Sequence, residues 1–272
     1  MEFRARQPLF ERVVYRAWAL ATPVVAWILW LAGPPENAQA RAFAFARRFE
    51  GLAGLVLGRR AGGTIPVRVH VMNSLISRFC CFQRGFPVDV ELVGAVQVFE
   101  RHDECGVLIA TVHTKLGLAA NATLRTKGRG PIFVGFPQAD LAASSWGSAE
   151  DADCIDARDP TVFLKIRKAI EKGRIVVAFV DFGKSTDGST FLSPNLFAWA
   201  ELANVPVMHS LATLGSEGRI RIEIEAERAG MIDAGARARS FVDFLGARWP
   251  RRFQLCRPKE LLQQAGAGQS VH

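Results

Sequence analysis

The feature that most limits the fold is a series of short apolar runs set between segments of helical composition. Val88–Val93, Val107–Val112, Pro131–Phe136, Ile175–Asp181, Pro206–Leu211 and Arg219–Ala226 have the length and composition of strands. Asp159 ahead of Pro160 marks a helix start for Thr161–Lys172, and Gly173 is its stop. Ser193-Pro194 opens another helix, Asn195–Ala203, and Ala236–Trp249 reads as one more. Strands alternating with helices predict an α/β fold: a mixed, mostly parallel sheet flanked by helices. With 272 residues, 49% of them hydrophobic, the chain can bury the core such a domain needs and still carry an appendage.

The appendage is expected at the N-terminus. Ala17–Ala32 carries no charge, and extending it to Val13 and Gly33 adds only Arg16. That length is close to what a bilayer core demands, with Trp18, Trp27 and Trp30 suited to interface positions. Pro34-Pro35 closes the segment. Arg4, Arg6, Arg12 and Arg16 precede it, which puts the N-terminus on the cytoplasmic side. Three arrangements fit: a helix that crosses, a helix that lies in the interface or packs on the core with Pro23 bending it, and a cleaved signal peptide ending near Ala38-Gln39-Ala40. Gln39–Leu57 and Pro66–Phe82 then read as two further helices. The expected organisation is a membrane-anchoring segment (1–35), a helical layer (36–85), an α/β domain (86–262) and a disordered tail (263–272).

Charge supports a surface partner at the ends of the chain. The total is +8. Residues 1–60 hold nine arginines against four glutamates, or +5, and residues 237–259 sum to +6, which leaves −3 for the rest. Two basic ends around a slightly acidic body suit an anionic surface better than a nucleic-acid groove. No aromatic-basic recognition motif is present, so a nucleic-acid partner is not expected. Cys80, Cys81, Cys105, Cys154 and Cys256 show no metal spacing and read as reduced, mostly buried thiols.

The candidate chemistry centres on His113. It follows Val107–Val112 at once and precedes a helical run, Lys115–Leu124. Open α/β sheets bind ligands beyond the carboxyl ends of their strands, where a following helix also offers free N–H groups. His113 is therefore a candidate general base in a cleft; its alternative is a loop histidine that closes a strand. His209, inside Pro206–Leu211, reads as a satisfied core histidine. Glu201, Asp159 and Glu171 read as helix-surface charges. No phosphate-cradling loop, nucleophile elbow or zinc motif occurs, and no cofactor is expected.

Several pieces recur in a familiar order: VDVELVG, VLIATVHTKLG, GRIVVAFVDFG, FAWAELANVPVMHSLATLGSEGRIRIEIEA and FLGARWPRRFQL. In order, spacing and hydrophobic pattern, Phe86 to Arg257 resembles the lipid A biosynthesis acyltransferases of the lauroyl- and myristoyl-transferring kind, relatives of the lysophospholipid acyltransferases. The resemblance implies a transferase of lipid metabolism at the cytoplasmic face of the inner membrane. It would move an acyl chain from a thioester, on acyl carrier protein or CoA, to a hydroxyl of a lipid or related acceptor. His113 would match the histidine of the family's H-x-x-x-x-[Asp/Glu] motif and act as general base. Nearby N–H groups or a basic side chain would hold the developing oxyanion.

The chain departs from that motif where the acid belongs: the fifth residue after His113 is Leu118. An acid from elsewhere must then orient the imidazole. Asp181, at the end of Ile175–Val180, shares the sheet's carboxyl edge with His113 and is the first candidate; Asp140 is the second. A turn-forming role is the alternative for Asp181. Lys115, Arg125, Lys127 and Lys184 are candidate contacts for an anionic head group or donor phosphate, with solvated side chains as the alternative. The expected function is acyl transfer with His113 and Asp181 as catalytic residues. The alternative is a catalytically degenerate relative that binds an acyl chain or carrier protein without turnover.

Overall fold

The computed structural model describes residues 9–57, 67–83, 86–95, 106–114, 116, 131–135, 154–184, 189–227, 233–249 and 252–256. Ten strands are described: β1 (Val90–Gly94), β2 (Val107–Thr111), β3 (Ile132–Gly135), β4 (Cys154–Asp156), β5 (Ile175–Phe179), β6 (Asp181–Lys184), β7 (Thr190–Leu192), β8 (Val207–Leu214), β9 (Ile220–Ala226) and β10 (Phe253–Leu255). The described helices are α1 (Leu9–Leu31), α2 (Ala38–Leu57), α3 (Val67–Phe82), α4 (Val162–Glu171), α5 (Asn195–Leu202) and α6 (Ala234–Arg248).

Seven strands form one sheet in the order β1-β9-β8-β2-β5-β3-β4. Every neighbouring pair is parallel except the β8–β9 hairpin. The architecture is thus mixed α/β with a mostly parallel sheet flanked by helices. The central strands β2 and β5 are buried along nearly their whole length, as parallel strands covered on both faces must be. One face packs against α1, α2 and α3 through Trp18, Ala42, Phe43, Leu75, Phe79, Ile109, Val177 and Ile222. The other packs against α4, α5 and α6 through Leu108, Ala110, Val176, Ile166, Phe197, Phe241 and Phe244. A second sheet, β10-β7-β6, stands beside the first.

Three local devices fix the layers. The Gln39 side chain donates to the carbonyls of Asp89 and Gly218, at 3.1 and 3.0 Å, and accepts from Asp89 N at 2.8 Å. It ties the start of α2 to the strands beneath. The Arg41 guanidinium donates to the carbonyls of Leu29, Trp30, Gly33 and Pro34, satisfying acceptors that the end of α1 leaves open. Gly106 stands so close to the end of α4 that a Cβ would lie 2.3 Å from the Ile170 carbonyl oxygen. Only glycine lets β2 begin there.

Some sequence expectations change. The run Ile175–Asp181 is not one strand: β5 ends at Phe179, and Asp181 opens β6 in the second sheet. Asp159 precedes the cap of α4 at Thr161 and holds the first turn by accepting from Thr161 N at 2.7 Å. Glu201 is more than a surface charge, since it accepts from Ala234 N at the start of α6. The thiols are less buried than expected: Cys80 and Cys256 are half-buried, and Cys81 and Cys154 are exposed. Burial and the neighbouring Cys81 still push the Cys80 thiol up to about 11. Apart from Leu116, a buried turn residue, the expected helix Lys115–Leu124 lies outside the described residues, as does the tail from Gln263.

Candidate functional site

The site grows out of the register of the two central strands. In the parallel pair β2–β5, Thr111 stands opposite Phe179. Val180 N donates to Thr111 O at 3.0 Å, carrying the pairing one step past the strand ends. Two residues beyond the last pair come His113 on one strand and Asp181 on the other. They meet because the two apolar runs end level with each other. Thr111 also donates through Oγ1 to Ser210 O at 2.9 Å, which fixes β2 against β8 just ahead of the histidine.

Asp181 grips His113 twice. Its Oδ1 accepts from the backbone N of His113 at 2.8 Å and lies 2.9 Å from His113 Nδ1. An ionised carboxylate only accepts, so the ring nitrogen facing it carries the proton. In the neutral tautomer that donates to Asp181, the lone pair is on Nε2. The carboxylate is the less accessible partner, at 16% exposure against 61% for the imidazole. The acid is sheltered, and the base faces outward.

Below the imidazole lies an aromatic floor. The His113 ring stacks on Phe179 with centroids 4.1 Å apart and planes 17° apart. Phe179 in turn stacks beside Phe133 of β3, at 6.4 Å and 27°. These rings lie on the sheet face that α1–α3 cover further along, where Phe133 packs against the Ile109, Ile175 and Val177 core. A ring held by one hydrogen bond at Nδ1 and an aromatic face beneath, on a backbone pinned by the same carboxylate oxygen, has little freedom to turn. Sequence reasoning named the pair but missed Phe179, which reads as an ordinary apolar core residue. The matched ends of the two runs were the signal that could have found it.

The other sequence-derived candidates are placed as follows. Lys184 closes β6 with its backbone opposite Thr190, three residues along from Asp181. Lys115, Leu118, Arg125, Lys127 and Asp140 lie outside the described residues. His209 is in the core but not satisfied: it is 1% exposed, and its Nε2 has no hydrogen-bond partner. It sits among Phe241 and Phe244, with ring centroids at 5.2 and 5.6 Å. Burial, helped by the Arg248 charge, pushes its pKa down to about 4, so it stays neutral in the core. Among the described residues, no group of three or more His, Cys, Asp or Glu side chains could hold a metal ion.

Compared with models of known protein families and with curated proteins, the chain matches none. The chemical reading therefore rests on the geometry and on the sequence resemblance.

Proposed function

We propose that the protein is an acyltransferase of the lipid A biosynthesis kind, with a relocated acid in its dyad. One observation carries the reading: Asp181 Oδ1 lies 2.9 Å from His113 Nδ1, where an orienting acid must be, although the usual position holds Leu118. The substrates are an acyl thioester, on acyl carrier protein or CoA, and a hydroxyl on a lipid or related acceptor at the inner face of the inner membrane.

The steps follow from the arrangement. Nε2 of His113 takes the proton from the acceptor hydroxyl as its oxygen attacks the thioester carbonyl carbon. Asp181 holds the ring through Nδ1–H and offsets the positive charge it acquires. The tetrahedral intermediate then collapses, the C–S bond breaks, and the leaving thiolate takes the proton back from the imidazolium. The products are an ester and a free thiol, and His113 returns to its starting state. Lys115, Arg125 and Lys184 are proposed to meet the anionic parts of donor or acceptor. The reaction as written uses no cofactor.

Incubating the full chain with acyl carrier protein thioesters and hydroxylated lipid acceptors, followed by mass spectrometry of the lipids, tests this directly. Transfer that falls about 10²–10⁴-fold in His113→Ala is the expected result. Transfer unchanged by that substitution refutes it. Leu118 favours a second reading, a degenerate enzyme that binds the acyl chain or its carrier without turnover. Saturable carrier binding with no transfer to any acceptor is the outcome that would select it.

A further inference from the structure

The outer side of α1 carries an apolar stripe that none of the described residues covers. Leu20, Val24, Trp27, Ile28 and Leu31 are 81%, 60%, 57%, 55% and 61% exposed. Their spacing puts them on one side of the helix. The opposite side is committed to the core, with Trp18, Thr22 and Ala26 buried. Trp18 lies against Phe45 and Phe49, and Trp30 against Phe79, Phe82 and Phe86. Arg41 pins the carbonyls at the helix end. Leu52 on α2 and Phe82 on α3 add exposed apolar surface to the same layer, at 62% and 41%. An exposed apolar stripe of this kind marks an interaction surface.

The charges on the same three helices narrow the partner. Arg16, Arg47, Arg48 and Arg78 are exposed on these three helices. Arg68 is engaged by Glu50, and Glu36 is an exposed carboxylate beyond the end of α1. The first 60 residues sum to +5. A two-fold pairing of this face with a second copy would bring two surfaces of the same net positive charge together. A surface of anionic head groups over hydrocarbon complements both the stripe and the charge.

We propose that α1 lies in the plane of an anionic bilayer, its stripe sunk about 5–10 Å to the boundary between head groups and acyl chains. The exposed arginines then contact the lipid phosphates. Crossing the bilayer would strip Trp18, Thr22, Ala26 and Trp30 from the core, so the helix stays on the surface it docks. The His113 ring lies on the sheet face that carries α1–α3. This deepens the membrane part of the functional reading and rests on that reading only for its purpose; the docking itself needs no chemistry from His113.

The test is flotation of the full chain with vesicles of equal parts phosphatidylcholine and phosphatidylglycerol, beside pure phosphatidylcholine vesicles. The double variant Val24→Glu/Ile28→Glu changes two largely exposed positions and is expected to keep the wild-type circular dichroism spectrum and melting temperature. It should lower vesicle partitioning by at least about tenfold. Removing Arg47 and Arg48 as alanine variants should lower binding to the anionic vesicles by about fivefold each and leave binding to the neutral ones little changed. Brominated lipids should quench a fluorescence component that disappears in Trp27→Phe. Undiminished binding of the stripe variant overturns the proposal. So does a wild-type dimer that the stripe variant splits without change in vesicle binding, or an N-terminal label reachable only from inside sealed vesicles. His113→Ala should bind vesicles like the wild type. An inactive protein that docks therefore counts against the chemistry alone, and an active one that does not dock counts against the docking alone.

Discussion

Asp181 Oδ1 takes two hydrogen-bond donors of His113 at once, the backbone N at 2.8 Å and Nδ1 at 2.9 Å. Such a double contact sets both the position of the residue and the tautomer of its ring. ¹⁵N NMR of the imidazole should show the proton on Nδ1 in the wild type, and a mixture of tautomers once Asp181→Ala removes the acceptor. An Nε2–H ring in the wild type would contradict the geometry. Phe179→Ala removes the floor under the imidazole and should lower kcat about tenfold with little change in KM, because the floor orients the base rather than the substrate; Phe179→Tyr should restore most of the rate. At this scale the sequence was informative where polarity stood out. A histidine and an aspartate closing two apolar runs were visible as candidates, and their pairing follows from the level ends of those runs. Phe179 was hidden because an apolar residue in an apolar run carries no mark of a second role. His209 was legible as buried but not as unpartnered, since the aromatic residues around it come from a helix thirty-odd positions along the chain.

At the scale of elements, the strands long enough to show an apolar run were readable and the shortest were not. β4, β7 and β10 have three residues each, too few for any periodicity to emerge. The break after Phe179 was equally silent, because Asp181 continues the hydrogen-bonded path while entering a different sheet. What holds the elements in place can be tested one contact at a time. Gln39→Leu should cost about 1–3 kcal/mol in urea unfolding, since it leaves the Asp89 N–H and the Gly218 carbonyl without their partner and takes from the Asp89 carbonyl one of its two donors, the other being Ile220 N. Gly106→Ala should cost a similar amount, about 1–3 kcal/mol, by pushing β2 away from the end of α4. Because β2 carries His113, that variant should also lose activity beyond its loss of stability. A variant as stable as the wild type would show that the close approach is easily relieved.

For the whole molecule, one buried imidazole should leave a signature in the dependence of stability on pH. Burial holds the His209 pKa at about 4 in the folded chain, below its ordinary value of 6.5. The unfolded chain therefore binds its proton first as pH falls. Stability is full above about 6.5, declines through the window between the two values, and levels off below about 4, for a total of up to about 3 kcal/mol. His209→Phe should flatten that part of the profile; an unchanged slope would mean that another group is responsible. The basic ends and the α1 stripe underlie the second global property proposed for the molecule, an affinity for a charged lipid surface. Both properties frame the site without deciding its chemistry. That decision belongs to the single-turnover rate of acyl transfer from a carrier-bound thioester, measured for the wild type, Asp181→Asn and Leu118→Asp. If Asp181 has taken over the role of the missing motif acid, Asp181→Asn falls by about 10²–10⁴-fold and Leu118→Asp gains little over the wild type. A wild-type rate in Asp181→Asn, or a large gain in Leu118→Asp over an inactive wild type, would contradict the account.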